Sequence, residues 1–207
     1  MEDKEILNQI KRLNALADMG LVYAENGFDK ERYEELKSIG QNLMAHVGKV
    51  RTNDLAPLLM PPKDYPTPKV DVRGFVLNEK KEVLMAREQV DQKWTIPGGW
   101  ADIGSTPSEI AVKEVLEETG MQCKAIRLLG VWDKQVHPHP PEPYYIYKLM
   151  FHCELLGGTL APGFDMMEAG FFPLDALPPL SEERILKSQI EQLYHMVEHN
   201  VHEVYFD

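Results

Sequence analysis

Glu114, Glu117 and Glu118 carry the spacing most suggestive of chemistry. On an α-helix, positions i, i+3 and i+4 emerge on one face within about one turn. Like charges so placed oppose helix formation by roughly 0.2–0.5 kcal/mol per pair. Between Gly99 and Met121 five acids (Asp102, Glu109, Glu114, Glu117, Glu118) stand against the single lysine Lys113. Three hard oxygen ligands on a rigid helix suit Mg2+ or Mn2+. An isolated E-x-x-E-E reads more readily as a solvated acidic face, so the flanking residues must decide. Ile96-Pro97-Gly98-Gly99-Trp100-Ala101-Asp102-Ile103-Gly104-Ser105 leads a short strand through a glycine-rich loop directly into this helix. Glycines there let backbone carbonyls and amides approach a metal or phosphate closely.

Gly99-(x5)-Ser105-(x7)-Lys113-Glu114-Val115-Leu116-Glu117-Glu118-Thr119-Gly120-Met121 resembles, position for position, the Nudix box G-x5-E-x7-R-E-U-x-E-E-x-G-U, where U is aliphatic. Two positions depart. Ser105 stands where the family has glutamate, and Lys113 where it usually has arginine. In the family these two mainly buttress the loop and helix, while the ligands come from the later glutamates. Lys113 keeps the charge but loses the planar bidentate fork. Ser105 keeps a possible helix cap but loses a carboxylate, which bears on catalytic efficiency more than on metal binding. If a missing buttress is the whole deficit, a glutamate at 105 would raise activity; alternatively, Asp102 or Glu109 already supplies the carboxylate. The resemblance implies Glu114 and Glu118 as principal ligands, Glu117 as ligand or base, and the Gly98 carbonyl as a backbone ligand. It implies cations that draw charge from a diphosphate and activate a water for in-line attack at phosphorus, releasing a nucleoside monophosphate. Family members often recruit a further carboxylate from a loop near the end of the sheet. Asp165 and Glu168 are candidates, Glu168 matching a glutamate shortly before the last core strand.

The likeness extends beyond the box. Tyr23, Phe28-Asp29-Lys30-Glu31-Arg32-Tyr33-Glu34-Glu35-Leu36, Pro68-Lys69-Val70-Asp71-Val72-Arg73, and Asp133-Lys134 followed by His137-Pro138-His139-Pro140-Pro141 resemble a bacterial Nudix subgroup. Its members are described as CDP-choline or ADP-ribose pyrophosphatases. The resemblance implies a Nudix α/β/α sandwich with a mixed sheet, preceded by a small α-helical domain. It implies a small nucleoside-diphosphate substrate with Mg2+ or Mn2+ as cofactor. Two alternatives stand: a Nudix-fold binding or regulatory protein with weak or lost catalysis, and an enzyme acting on (d)NTPs or RNA 5′ ends. Arg73 and Arg87, on strands expected beside the box, could hold phosphate oxygens or be ordinary strand residues. Trp100 could stack on a base or serve the core or a lid. His137 and His139 lie in a stiff loop that offers no third zinc ligand, so polar contact with substrate is a better reading than zinc, and an unremarkable loop is the alternative. Cytidine and adenosine are not distinguished.

The elements that must position these groups follow from pattern. Ile6, Ile10, Leu13 and Ala17 recur at helical steps; after Asn26-Gly27, Asp29 caps a second helix with Tyr33, Leu36, Leu43 and Val47 inward. Such a pair cannot bury its stripes alone, which motivates a homodimer. Pro57, Pro61, Pro62, Pro66 and Pro68 make a stiff connector, giving a helical domain over 1–55, a linker over 56–68 and the Nudix domain over 69–207. Strands are expected over Val70–Leu77, Glu82–Arg87, Trp94–Ile96, Lys124–Trp132 and Tyr144–Leu156, with a short one ending at Phe172. Pro107 sits in the first turn of the box helix, Gly120 closes it, and Ser181 caps a final helix with Ile185, Ile190, Leu193 and Met196 inward. The net charge of -11 disfavours a long nucleic acid held on a basic stripe. No apolar run reaches membrane-spanning length, and the acidic start lacks a signal peptide's pattern. Cys123 and Cys153 lie in apolar stretches and read as buried thiols, implying a reducing cytoplasm.

Overall fold

The computed structural model describes residues 3–48, 65–102 and 104–207, the side chains from Glu5 onward. The prolines at 57, 61 and 62 lie outside them. Contacts divide the chain into two compact units, Met1–Pro68 with Pro141–Tyr145, and Lys69–Pro140 with Ile146–Asp207.

In the first unit α1 (Asp3–Tyr23) and α2 (Gly27–Gly48) form a helical hairpin. Leu7, Ile10, Met44 and Ala45 make its apolar seam, with Ile6 and Val47 packed against it. The cap of α2 is Asn26, whose Oδ1 accepts the Asp29 N–H at 2.9 Å, so Asp29 sits inside the first turn rather than at its start. The inward face of α2 is also rotated from expectation: Lys37, Gly40, Met44 and Ala45 are buried, whereas Leu36 and Leu43 are exposed. A two-helix hairpin closes over a narrow seam, and small residues such as Gly40 let the backbones approach, leaving the larger apolar side chains outside.

The second unit is a mixed sheet between two helices. Its strands are β1 (Lys69–Leu77), β2 (Val83–Glu88), β3 (Trp94–Thr95), β4 (Gly98–Trp100), β5 (Met121–Asp133), β6 (Ile146–Gly158), β7 (Met166–Phe172) and β8 (Tyr205–Phe206). They run β3-β2-β1-β6-β5-β8, with β4 paired to β1 and β7 to β2. The β1–β6 and β5–β8 pairs are parallel, and the other pairs antiparallel. Helix α3 (Pro107–Thr119) covers one face, where Ile110, Ala111 and Val115 pack on Val72, Val76 and Leu84. Helix α4 (Lys187–Glu198) covers the other, where Ile190, Leu193 and Met196 pack with Phe75, Val83, Met85 and Trp132. Adjacent β1 and β2 residues thus enter opposite cores, and the sheet is buried on both sides.

Three local outcomes differ from expectation. Gly98–Trp100, read as loop, is a short strand paired to β1 through Asp71↔Trp100, Val72↔Gly99 and Arg73↔Gly98. Ser181 accepts a turn from Arg184 and Ile185, and the regular helix starts only at Lys187. Strand β8 had no signal, two residues being too short for a period. Cys123 and Cys153 are free and buried, as expected. Among the described residues no helix is long and apolar enough to cross a membrane.

Candidate active site

Local chemistry fixes both ends of α3. Thr106, not Ser105, is the N-cap. Its Oγ1 accepts the Glu109 N–H while the Glu109 carboxylate accepts the Thr106 N–H at 2.8 Å, a reciprocal capping box. Pro107 follows at no cost, and Gly120 closes the helix in the left-handed conformation at φ 72°. Glu109 is thereby committed to the cap.

The helix presents its three carboxylates at graded depth. Glu118 is only 6% exposed. Its Oε2 accepts the Gly98 N–H at 3.0 Å. Burial pushes its carboxyl up to about 8; the Glu114 and Glu88 charges add to this, and Arg73 and the Gly98 amide oppose it. Glu114 is half-buried over Gly99, where a Cβ would lie 3.1 Å from its carboxyl carbon. Burial and then the Glu117 charge raise its pKa. Glu117 points outward, with Lys113 Nζ 3.8 Å away. Lys113 Nζ also donates to Asp102 Oδ2 at 3.0 Å. Gly98 must be glycine for space as well as backbone: a Cβ would stand 2.3 Å from the Val72 carbonyl oxygen.

Arg73 is buried behind this group. Its Nε donates to Asp71 Oδ2 at 3.0 Å and its Nη1 to Thr95 Oγ1 and the Ile96 carbonyl at 2.9 and 2.8 Å. Lys148, on β6 opposite Asp71, donates to the same Asp71 oxygen.

The arrangement suits a divalent cation. A buried carboxylate whose charged form is disfavoured gains most from a hard cation beside it. Arg73, a positive group acting on Glu118, has Nε and Nη1 committed elsewhere. Among the described residues the acidic side chains do not close into a three-ligand cluster, Glu117 having turned toward Lys113.

Known proteins carry the same organisation. The NUDIX domain matches residues 67–193, and a UDP-X-like N-terminal oligomerisation domain matches residues 4–59. YjhB of Bacillus subtilis, provisionally assigned as an ADP-ribose pyrophosphatase, is 39% identical over 97% of this chain and 96% of its own. An ADP-ribose pyrophosphatase of Methanocaldococcus jannaschii is 35% identical, covering 59% of this chain and 73% of its own. Among solved structures, a UDP-X diphosphatase aligns over 100% of both chains, with TM-score 0.63 and 32% identity. An ADP-ribose pyrophosphatase from Streptococcus suis covers 68% of this chain and 100% of its own, with TM-score 0.59 and 30% identity.

The chain belongs to the Nudix hydrolase family. It is an enzyme of phosphorus-anhydride hydrolysis.

The remaining residues that the Nudix motif or its neighbourhood suggested fall into two groups. Arg87 and Glu168 face each other across β2 and β7 in an ion pair of 2.9 Å, and Arg87 Nε also donates to the Gln92 carbonyl. Glu168 thus lies on a strand rather than in a loop, with its charge answered by Arg87. Arg73, read as either a phosphate contact or an ordinary strand residue, is a buried scaffold for the Thr95–Gly98 segment. Trp100 and His139 keep unsatisfied capacity. Trp100 is 50% exposed with Lys69 Nζ 5.0 Å above its ring, so it is no core residue. His139 Nδ1 lies 2.6 Å from the Glu182 carbonyl, so that nitrogen donates and Nε2 is left as an acceptor. Nε2 is buried with no protein partner, as is the nearby strand's Trp132 Nε1. Burial, with the Lys148, Lys134 and His137 charges, pulls His139 down to about 4, so its ring is neutral at pH 7. His137 instead rests on Asp207, Nε2 3.1 Å from the carboxylate.

Asp71, Glu88 and Lys148 were missed. In Val70-Asp71-Val72-Arg73 the charged residues alternate with apolar ones, which reads as a solvent face; here both faces are covered. Glu88, at the end of β2, pairs with Arg184 Nε at 2.6 Å, and burial raises its carboxyl. Its acidic neighbours gave no signal. Of the two carboxylates read as replacing the box glutamate, Asp102 is the one that meets Lys113, Glu109 being held in the cap.

Proposed function

We propose that this Nudix hydrolase is a divalent-cation-dependent pyrophosphohydrolase that splits the diphosphate of a nucleoside diphosphate linked to another moiety, releasing a nucleoside monophosphate. The observation that carries this reading is Glu118. A box glutamate only 6% exposed, its charged form disfavoured by burial, gains most from a cation beside it.

Glu114, Glu118 and the Gly98 carbonyl would hold Mg2+ or Mn2+, with Glu117 swinging from Lys113 to join them or to act as base. When bound, the cation would withdraw charge from the diphosphate and lower the pKa of an attacking water. Attack at one phosphorus then breaks its bond to the bridging oxygen, and a carboxylate takes the water proton. Trp100 offers an open ring face for a base or sugar. Phosphate taking Arg87 would free Glu168 from the ion pair that now holds it.

The substrate fits the shared chemistry of ADP-ribose, CDP-choline and UDP-linked compounds, in keeping with the names carried by the full-length relatives. The reading of a binding protein without catalysis has less support, since Asp102 answers Lys113 despite Ser105. The N-terminal helices over 1–55, joined by the linker 56–68 to the catalytic domain over 69–207, would form a homodimer through their uncovered apolar stripe.

The deciding experiment is a panel of CDP-choline, ADP-ribose, UDP-glucose, NADH, diadenosine polyphosphates, 8-oxo-dGTP and capped RNA with Mg2+ and Mn2+, reading released nucleoside monophosphate. Cation-dependent release of the monophosphate from a nucleoside-diphosphate conjugate is expected. Turnover of triphosphates or capped RNA alone, or turnover unaffected by chelator, would overturn the proposal.

A further inference from the structure

Asp71, Arg73 and Lys148 are the most deeply buried charged group in the sheet unit, 5%, 4% and 1% exposed. They sit on the two central strands, β1 and β6, whose parallel register sets Asp71 opposite Lys148. A single oxygen, Asp71 Oδ2, accepts from both Arg73 Nε and Lys148 Nζ. The Arg73–Asp71 and Lys148 attractions hold the Asp71 carboxyl down to about 2, so it is ionised across the working range even though burial opposes this.

The geometry leads from this trio to the metal-binding end of α3. With Nε fixed on Asp71, the planar guanidinium has one orientation, and its Nη1 reaches Thr95 Oγ1 and the Ile96 carbonyl. Those two residues precede Pro97, whose carbonyl accepts the Gly74 N–H, and Gly98, whose amide holds Glu118. Arg73 is also the register partner of Gly98. The segment that must present Gly98 is thus clamped from below by one guanidinium, whose own position depends on a carboxylate shared with Lys148.

We infer that Lys148 and Asp71 are positioning residues of the cation site, acting through Arg73 to set Gly98 against Glu118. This rests on the cation-binding reading above. A structural role alone is a weak explanation for the trio, because buried ion pairs replaced by well-packed apolar residues leave many folds as stable or more so. Residues behind a metal site, by contrast, typically shift metal affinity about 10–100-fold.

The test uses the full-length protein and Mn2+ alone, reading free Mn2+ by electron paramagnetic resonance and amide hydrogen exchange by mass spectrometry. Lys148→Met, Lys148→Arg, Asp71→Asn and Glu118→Gln are compared. Removing the lysine's positive charge would by itself tighten cation binding, so weaker binding reports lost position. The expected result is Mn2+ bound about tenfold more weakly by Lys148→Met. Exchange should quicken over residues 95–99 but not over α4, and Lys148→Arg should restore both toward the wild type. Should Lys148→Met not fold, Asp71→Asn is read for the same local exchange. Unchanged affinity and unchanged exchange over 95–99 in a folded variant would overturn the inference, as would exchange quickened equally throughout. If instead Glu118→Gln leaves Mn2+ affinity intact, the cation-site reading has failed, and the exchange pattern alone then decides whether the trio positions the segment.

Discussion

Lys113 Nζ meets Asp102 Oδ2 at 3.0 Å, so the buttress of the box helix comes from the loop at 102 and not from position 105. Both side chains are exposed, so the pair adds little to stability. Its value lies in holding the loop. Asp102→Asn should lower kcat about tenfold, the equivalent of about 1.4 kcal/mol of transition-state positioning, with little change in Tm. Ser105→Glu should be neutral or harmful, because it adds a like charge where the site is already filled. A Ser105→Glu enzyme faster than the wild type beside an unimpaired Asp102→Asn would refute this.

Glu118→Gln keeps the shape of the side chain and removes the ionisable oxygen pair. Activity should fall at least about 100-fold, with the Mg2+ requirement shifted upward and the fold retained by circular dichroism. Glu114→Gln should act in the same direction. Near-normal turnover in both, at an unaltered metal optimum, would show that the cation sits elsewhere.

His139 supplies a pH signature. Its folded value, about 4, lies below the ordinary 6.5, so the unfolded chain binds more protons between those values. Stability is therefore complete above pH 6.5 and falls as pH drops toward 4, by on the order of 2 kcal/mol. His152 is also depressed by burial and slopes the same way, so the comparison is with His139→Gln. Urea unfolding at pH 7.5, 6 and 4.5 should show a smaller acid loss in the variant. Parallel curves would remove His139 as the cause.

The N-terminal hairpin leaves Leu36, Ile39 and Leu43 exposed, the latter two by 45% each, along one side of α2. Light scattering at micromolar concentration should give a dimer mass. Ile39→Asp with Leu43→Asp should give a folded monomer, a charge being costly to bury in an apolar contact. A wild-type monomer, or a variant dimer, would count against this face.

The box was legible because helix geometry makes spacing into chemistry. Glu114, Glu117 and Glu118 need no tertiary information to share a face, and Thr106-Pro107 with Gly120 marks the ends. Alternation was the weak signal. It placed β1 but could not tell that both faces are covered, so it gave no reason to single out Asp71 or Lys148 and could not choose between a phosphate ligand and a strand residue for Arg73. The side of a helix that turns inward was likewise hidden in α2, where the small residue Gly40, not the leucines, sits at the seam. Side-chain partners across distant strands, such as Arg87 with Glu168, are set by register, which local pattern does not contain.

The Asp71–Lys148 contact also has a consequence for the order of assembly. The two residues are 77 positions apart, joined only when the parallel pair β1–β6 has formed. Parallel pairing requires a long loop to close before any contact rewards it, and it is among the slower events in folding. During synthesis β1, the Gly98 segment and α3 all precede β6 in the chain. The acidic helix can therefore wind early on its own caps, while the clamp behind it waits for the strand that completes the sheet. A chain interrupted before Lys148 would hold every glutamate of the box, with Asp71 and Arg73 as well, but not the lysine and the strand that complete the clamp.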